Sequence, residues 1–206
     1  MCWNSDVSLR TFIYALISFV IVVGFNRFSI LIPLIALSVS FMQLYEYFIW
    51  KNIHNKKIIK NISILGPIII LVQLLLLNYT FLRGNERIIS IMLIIIVFII
   101  SIIMRYNDYN NFKITIGENK HLIWHWADLP PILLLIVFIF YLYPLSKKED
   151  KTVFIFIAIA LLISLYYYYK YKTWGTMWCY YSNLIWIYLI IGSIYLYTND
   201  KYDTNK

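Results

Sequence analysis

The sequence predicts an all-α integral membrane protein, a bundle of seven transmembrane helices, and three observations support this fold class. Of the 206 residues, 62% are hydrophobic and 14% are charged, and the mean hydropathy of +0.72 lies well above that of soluble domains. Seven stretches approach the roughly 20 apolar residues that a helix needs to cross a hydrocarbon core of about 30 Å. Runs such as IMLIIIVFIISIIM show no alternation of apolar and polar residues, which argues against a transmembrane β-barrel.

The apolar runs and the polar breaks between them place the seven spans in order along the chain. They are predicted at Val7 to Phe25, Ser29 to Trp50, Ile62 to Leu82, Ile88 to Met104, Asp128 to Leu145, Thr152 to Tyr169 and Trp178 to Tyr197. The first two spans are separated only by Asn26, Arg27 and Phe28, so six spans is the competing count. No small-residue cleavage site follows the first span, which predicts a retained anchor. The longest loop, Arg105 to Ala127, is too short to bury a core, so residues 1–206 are predicted to form one domain.

The net charge of +8 comes from lysines and arginines in short loops, where they act as topological anchors and lipid-headgroup contacts. No basic cluster with interleaved aromatic residues indicates nucleic-acid binding, so the lipid bilayer is the predicted partner. In the seven-span topology ten basic residues lie on the N-terminal face and eight on the opposite face. The positive-inside rule therefore favours a cytosolic N-terminus.

The loop before the fifth span is predicted to contain a short β-hairpin. In FKITIGENKHLIWHW, two runs of β-forming residues flank the turn sequence Gly117-Glu118-Asn119. In a strand His121 and His125 lie about 13 Å apart, too far to ligate one ion, whereas on a helix they would lie within ~6 Å and could share zinc, with Cys2 as a further candidate ligand. Position 122 is Leu rather than the Glu of an H-E-x-x-H motif, so neither a metal nor another cofactor is predicted.

Most polar and reactive side chains are brought to the N-terminal face by the seven-span topology. Glu46 is the only charged side chain clearly inside a span, about 6 Å inside Trp50 at the helical rise, and Gln43 lies one turn deeper. A carboxylate at that depth is costly and indicates a functional site. The predicted pocket, for a small ligand or lipid headgroup, comprises Glu46, Gln43, Asn183, Ser182, Trp50, Cys2, Trp3, His125, Trp124, Trp178 and Cys179. The alternative is that Glu46 reaches water or bonds to Asn183 or Gln43 as a helix-packing contact.

Tryptophan is concentrated on this one face, although interfacial aromatic belts normally form on both. The residues concerned are Trp3, Trp50, Trp124, Trp126, Trp174 and Trp178. We interpret them as a rim, with HLIWHWADLPP forming a lid over Glu46 and Asp128 capping the fifth helix.

The only two cysteines, Cys2 and Cys179, also lie on this face. If the face is lumenal or extracellular, a disulfide between them is expected. If it is cytosolic, free thiols or a metal shared with a histidine are expected. The alternative in either case is that they are two unrelated buried thiols.

Two N-terminal segments, MCWNSDVSL and QLYEYFIW, resemble an uncharacterised family of small seven-span membrane proteins from large DNA viruses and bacteria. Members begin Met-Cys-aromatic, often followed by Ser-Ala-x-x-Ser, and carry Gln and Glu near the end of the second span. The matching residues are Cys2, Trp3, Ser8, Gln43, Glu46 and Trp50, whereas Asn4 and Ser5 depart from the Ser-Ala pair. The resemblance supports the fold and marks a candidate site without implying an activity.

Three classes of function fit these observations. The preferred one is a non-enzymatic membrane protein with a polar, Trp-rimmed pocket centred on Glu46. The alternatives are a membrane-embedded, metal-dependent hydrolase or transferase that uses His121, His125, Cys2 and Glu46, and a structural component of a cellular or virion membrane. The interiors of the spans offer too few polar residues for a continuous conduction pathway.

Overall fold

The computed structural model describes residues 4–106, 112–148 and 151–203, most of them in helices. The helices are α1 (Ser5–Phe25), α2 (Leu31–Lys51), α3 (Lys56–Ser63), α4 (Leu65–Phe81), α5 (Gly84–Tyr106), α6 (Pro131–Ser146), α7 (Thr152–Tyr171), α8 (Trp174–Ser182) and α9 (Ile185–Asp203). Two strands, β1 (Ile114–Ile116) and β2 (Leu122–Trp124), lie between α5 and α6. The predicted all-α fold class is confirmed.

Five helical segments of the described chain are long and apolar enough to cross a membrane. They are Ser5–Phe25, Leu31–Lys51, Lys56–Phe81, Gly84–Met104 and Thr152–Tyr171. Two further apolar helices, Pro131–Ser146 and Ile185–Asn199, are shorter and correspond to the fifth and seventh predicted spans. The architecture is compatible with a multi-pass membrane protein.

The seventh predicted span, Trp178 to Tyr197, was wrong as a continuous helix, because the chain breaks between α8 and α9. At the break the Leu184 amide donates to the Tyr181 carbonyl, an i→i−3 bond in place of the α-helical i→i−4 bond. The Asn183 side chain donates to the Cys179 carbonyl, which a continuous helix would offer to the backbone amide of Asn183. The side chain thus competes with the helical backbone and interrupts it.

Two other helices begin earlier than the apolar pattern predicts, because asparagine side chains cap them. Asn4 accepts a 2.9 Å hydrogen bond from the Val7 amide at the start of α1. Asn55 accepts a 3.2 Å bond from the Ile58 amide at the start of α3, which precedes α4. An N-cap satisfies an amide that has no partner within the first helical turn, so a polar segment can join the end of an apolar helix.

The bundle has two ends, which we call the hairpin face and the turn face. At the hairpin face the β-hairpin packs on the end of α2, where the Trp126 indole donates to the Tyr45 hydroxyl at 3.0 Å. At the turn face short connections join α1 to α2, α4 to α5 and α6 to α7. There the Lys147 ammonium lies 3.0 Å from the Glu86 carboxylate, linking the end of α6 to the start of α5.

The β-hairpin forms where the sequence predicted it. Its antiparallel register pairs Ile114 with Trp124 and Ile116 with Leu122. The turn residue Lys120 adopts a left-handed conformation with φ of 61°. The Gly117 amide donates to the His121 carbonyl at 2.7 Å and closes the hairpin. A single 3-10 turn, His125–Ala127, then leads the chain towards α6.

The prediction that Asp128 caps the fifth helix was wrong. The helix begins at Pro131, and Pro130 occupies the capping position without a side-chain bond. Proline is suited to the first helical turn because it has no amide hydrogen to satisfy there, so the cap is not needed at that position. The exposed Asp128 carboxylate instead accepts a 2.7 Å hydrogen bond from the Tyr168 hydroxyl near the end of α7.

Candidate functional site

Glu46 and Gln43 both lie fully buried on α2, the helix at the centre of the bundle. At 100° per residue their side chains leave the helix about 60° apart and roughly 140–160° away from the exposed Phe41 and Phe48. Both therefore point into the bundle rather than towards lipid. Burying a carboxylate at this position costs free energy. The structure therefore agrees with the sequence in marking Glu46 as an unusual residue of the span.

A hydrogen-bonded network joins α2 to the break between α8 and α9, one turn along from Gln43. The Ser40 hydroxyl donates to the Asn183 side-chain oxygen at 2.6 Å, and the Trp186 indole donates to the Ser40 hydroxyl at 2.9 Å. Asn183 belongs to the predicted pocket, whereas Ser40 and Trp186 were missed. Ser40 is one small residue within an apolar run, so the sequence alone does not indicate that the side chains of Asn183 and Trp186 bond to it.

The tryptophans of the hairpin form a packed roof over the end of α2 rather than an open rim. Trp124 and Trp126 stack with ring centroids 5.3 Å apart and planes inclined by 10°. Both rings form T-shaped contacts with the Tyr45 ring, at centroid distances of 5.8 Å and 6.4 Å. Trp124 and Trp126 are 4% and 7% exposed, so they fill the interior rather than form an interfacial belt. The hairpin therefore covers Tyr45 with a close-packed aromatic cluster.

The start of α8 holds this roof in place from the other side. The Trp174 indole donates to the Ala127 carbonyl at 3.1 Å, and the Thr176 hydroxyl donates to the Leu122 carbonyl at 3.1 Å. Gly175 lies against the Trp124 ring so closely that a Cβ atom would overlap it. A glycine is therefore required at this position for the helix and the indole to pack together.

Three further residues of the predicted pocket, Trp178, Trp50 and Cys179, pack in or against the main core of the bundle. The Trp178 ring lies against the Tyr141 ring at a centroid distance of 5.0 Å and contributes to a cavity nearer the turn face. Trp50 is half-buried against the main core, and Cys179 is fully buried in that core. Cys2, Trp3 and the side chain of Ser182 lie outside the described part of the chain, so the pairing of Cys2 with Cys179 stays a prediction.

The two histidines occupy the separated positions that the strand interpretation requires. His121 precedes β2 and His125 follows it, where its Nε2 atom lies 2.9 Å from the Thr115 hydroxyl. Burial lowers the pKa of His121 below its ordinary value. Among residues 4–106, 112–148 and 151–203, no three His, Cys, Asp or Glu side chains come close enough to hold a metal ion.

A groove opens beneath the hairpin between α4, α5 and α6, and we call it the Trp-roofed groove. Trp126, Ala127 and Trp174 form its end at the hairpin face. Its remaining lining is Pro67, Ile70, Leu71, Leu74, Ile94, Val97, Phe98, Ser101, Ile102, Phe112, Leu129, Val137 and Phe140. Glu46 does not line this groove, so the predicted centre of the pocket and the groove of the hairpin half do not coincide.

A second cavity, the turn-face cavity, lies among α2, α4, α6, α7, α8 and α9. Gln73, Tyr141 and Trp178 form its inner end, and Lys148 is part of its lining at the turn face. Neither Gln73 nor Lys148 belongs to the pocket that the sequence predicts. A lone amide in the run IIILVQLLLL is the signal that marks this cavity, because isolated polar groups inside a span are costly.

Comparison with known proteins adds no relative from which function could be transferred. No family model, no curated protein and no solved structure matches this chain. The family resemblance of the N-terminal segments therefore stays a prediction, and function has to be argued from the geometry of the described residues.

Proposed function

We propose that this chain is a seven-span integral membrane protein that binds the hydrocarbon chain of a lipid in the Trp-roofed groove. The observation that carries the proposal is the groove itself, which three helices line almost entirely with apolar side chains. Ligand sites are typically lined mainly by apolar and aromatic side chains. The proposal keeps the predicted Trp-rimmed pocket at the N-terminal side and moves its centre away from Glu46.

The lining of the groove favours an apolar occupant. Ser101 carries the only hydroxyl among its lining side chains, and this hydroxyl already donates to the Val97 carbonyl at 2.8 Å. A polar ligand would lose its hydration here without gaining hydrogen bonds, whereas a hydrocarbon chain gains dispersion contacts.

The aromatic end of the groove favours the same occupant. The indole NH groups of Trp126 and Trp174 are bonded to the Tyr45 hydroxyl and the Ala127 carbonyl, so they are not available to a ligand. What the two rings offer to the groove is apolar surface held in a fixed orientation. Such a surface suits the end of an acyl chain that enters between α5 and its neighbours.

Photolabelling with a lipid that carries a diazirine on its acyl chain tests this proposal. We expect labelling of peptides from α4, α5 and α6 in the wild-type protein reconstituted in phosphatidylcholine vesicles. Val97→Trp places a large ring in the groove and is expected to reduce this labelling severalfold. Ile96→Trp is the matched control, because Ile96 lies next along the same helix and is 48% exposed at the outer surface.

Val97→Phe is a milder filling variant for the case in which the Val97→Trp protein does not fold. Equal labelling of the wild-type, Val97→Phe and Ile96→Trp proteins at the groove residues would contradict the proposal. Labelling confined to exposed positions of α5 would contradict it as well, since that pattern is expected of ordinary bilayer lipid around any spanning helix.

A further inference from the structure

We infer that the turn-face cavity is a second binding site, which takes a single-chain anionic amphiphile of the fatty-acid type, with the carboxylate at Lys148 and the chain inside the bundle. This site differs from the Trp-roofed groove in position, lining and ligand. It shares none of its lining residues with that groove.

Side chains from six helices line the cavity. Ala36 and Val39 on α2, Leu77 on α4 and Leu189 on α9 give it apolar walls. Tyr141 and Lys148 are seven residues apart near the end of α6, and a rise of 1.5 Å per residue puts about 10 Å between the inner end and the mouth. That depth is less than one leaflet, which is about 15 Å of a core of about 30 Å. The space therefore suits one short chain rather than a whole two-chain lipid.

The inner end of the cavity is closed by polar groups that already have partners. The Gln73 amide donates to the Ser38 carbonyl at 3.2 Å, and its side-chain oxygen accepts a 2.7 Å bond from the Tyr141 hydroxyl. The Tyr141 ring in turn lies against Trp178. Because these bonds are made within the protein, the inner end can receive the apolar tip of a chain without leaving a buried polar group unsatisfied.

The mouth of the cavity carries a positive charge that selects the headgroup. The half-buried Lys148 directs its ammonium over the Phe81 ring, 5.0 Å from the centroid, and no carboxylate of the described residues forms an ion pair with it. The neighbouring Lys147 is already paired with Glu86 at 3.0 Å. An apolar cavity with a cation at its entrance is complementary to an anionic headgroup on a hydrocarbon chain, and it disfavours a cationic amphiphile.

Binding of decanoate to the full-length protein in phosphatidylcholine nanodiscs tests the inference, with empty nanodiscs as the blank. We expect saturable heat of binding for decanoate in titration calorimetry, with weaker binding of decanol and none of decyltrimethylammonium above the blank. Lys148→Gln is expected to weaken decanoate binding about fivefold and to leave decanol binding unchanged, as is typical of losing one partly exposed ion pair. Lys148→Arg should retain the wild-type preference.

Two further variants make the test specific to the cavity. Lys147→Gln is the matched control, because it removes an adjacent positive charge that does not line the cavity, and it is expected to bind decanoate as the wild type does. Ala36→Leu fills the cavity and should weaken the binding of decanoate and decanol alike. The inference would be overturned if decanoate and decanol bind with equal affinity, or if the Lys148→Gln protein binds decanoate as tightly as the wild type does. Either result would indicate that the hydrocarbon chains simply partition into the protein surface. Unchanged binding in Ala36→Leu would overturn it too.

Discussion

The hairpin half and the turn half of the bundle differ in how their interior side chains pack. In the hairpin half, the rings of Trp124, Trp126 and Tyr45 interlock, and glycine is required where α8 meets the stack. In the turn half, the helices diverge around a cavity whose inner end is a hydrogen-bonded pair, Gln73 and Tyr141. The aromatic stack beside Gly175 has no room for an added atom, whereas the turn-face cavity has room for a ligand. Substitutions that add or remove volume are therefore the most direct way to test the difference.

The largest effect is expected for Gly175→Ala. The added methyl group overlaps the Trp124 ring, which cannot move aside without disturbing its stack on Trp126. We expect a loss of about 1–3 kcal/mol or more in the free energy of unfolding, measured by denaturation in mixed micelles. Gly24→Ala is the matched control, because no atom lies within 4 Å of the position of its added methyl group. If both variants are equally stable, the hairpin does not pack on α8 as described.

Tyr45→Phe is expected to have the next largest effect. It leaves the indole NH of the buried Trp126 without its acceptor, which typically costs about 1–2 kcal/mol. The same denaturation measurement applies, with Tyr14→Phe on the exposed surface of α1 as control. A Tyr45→Phe protein as stable as Tyr14→Phe would show that the hairpin half does not depend on this bond.

Ala36→Leu should have a smaller effect and the opposite sign in the same assay. Ala36 lines the turn-face cavity, so we expect the free energy of unfolding to remain within about 1 kcal/mol of the wild type or to rise. Ala160→Leu is the comparison, because Ala160 is 3% exposed in the close-packed core and overpacking there should destabilise by about 1–3 kcal/mol. Equal losses in the two variants would mean that the turn half is packed as tightly as the rest.

The same contrast explains which features the sequence could predict. The β-hairpin was predictable because its β-forming runs and its turn are encoded within 15 neighbouring residues. The burial of Glu46 was also predictable, since its place inside an apolar run leaves it little access to water. Both predictions depend on local patterns, and local patterns are what periodicity arguments detect.

The link between Asn183 and α2 and the role of Gln73 could not be predicted in this way. Each depends on a partner far along the chain, Ser40 for Asn183 and Tyr141 for Gln73. The turn-face cavity is lined by residues of six helices, an arrangement that no single segment encodes. Trp178 is a further case, because its ring packs against Tyr141, a partner that its own segment does not indicate.

The smallest expected effect concerns pH and the hairpin half. Burial lowers the pKa of His121 below 6.5, so the folded protein holds this side chain neutral at a pH where the unfolded chain binds a proton. Stability should then be constant above about pH 6.5 and should fall as the pH drops below that value, towards the lower pKa of the folded state. His121→Gln removes this dependence, and His54→Gln, at an exposed position between α2 and α3, is the control. Melting temperatures between pH 7.5 and pH 5 provide the measurement, and a slope that persists in His121→Gln would place the titrating group elsewhere in the protein.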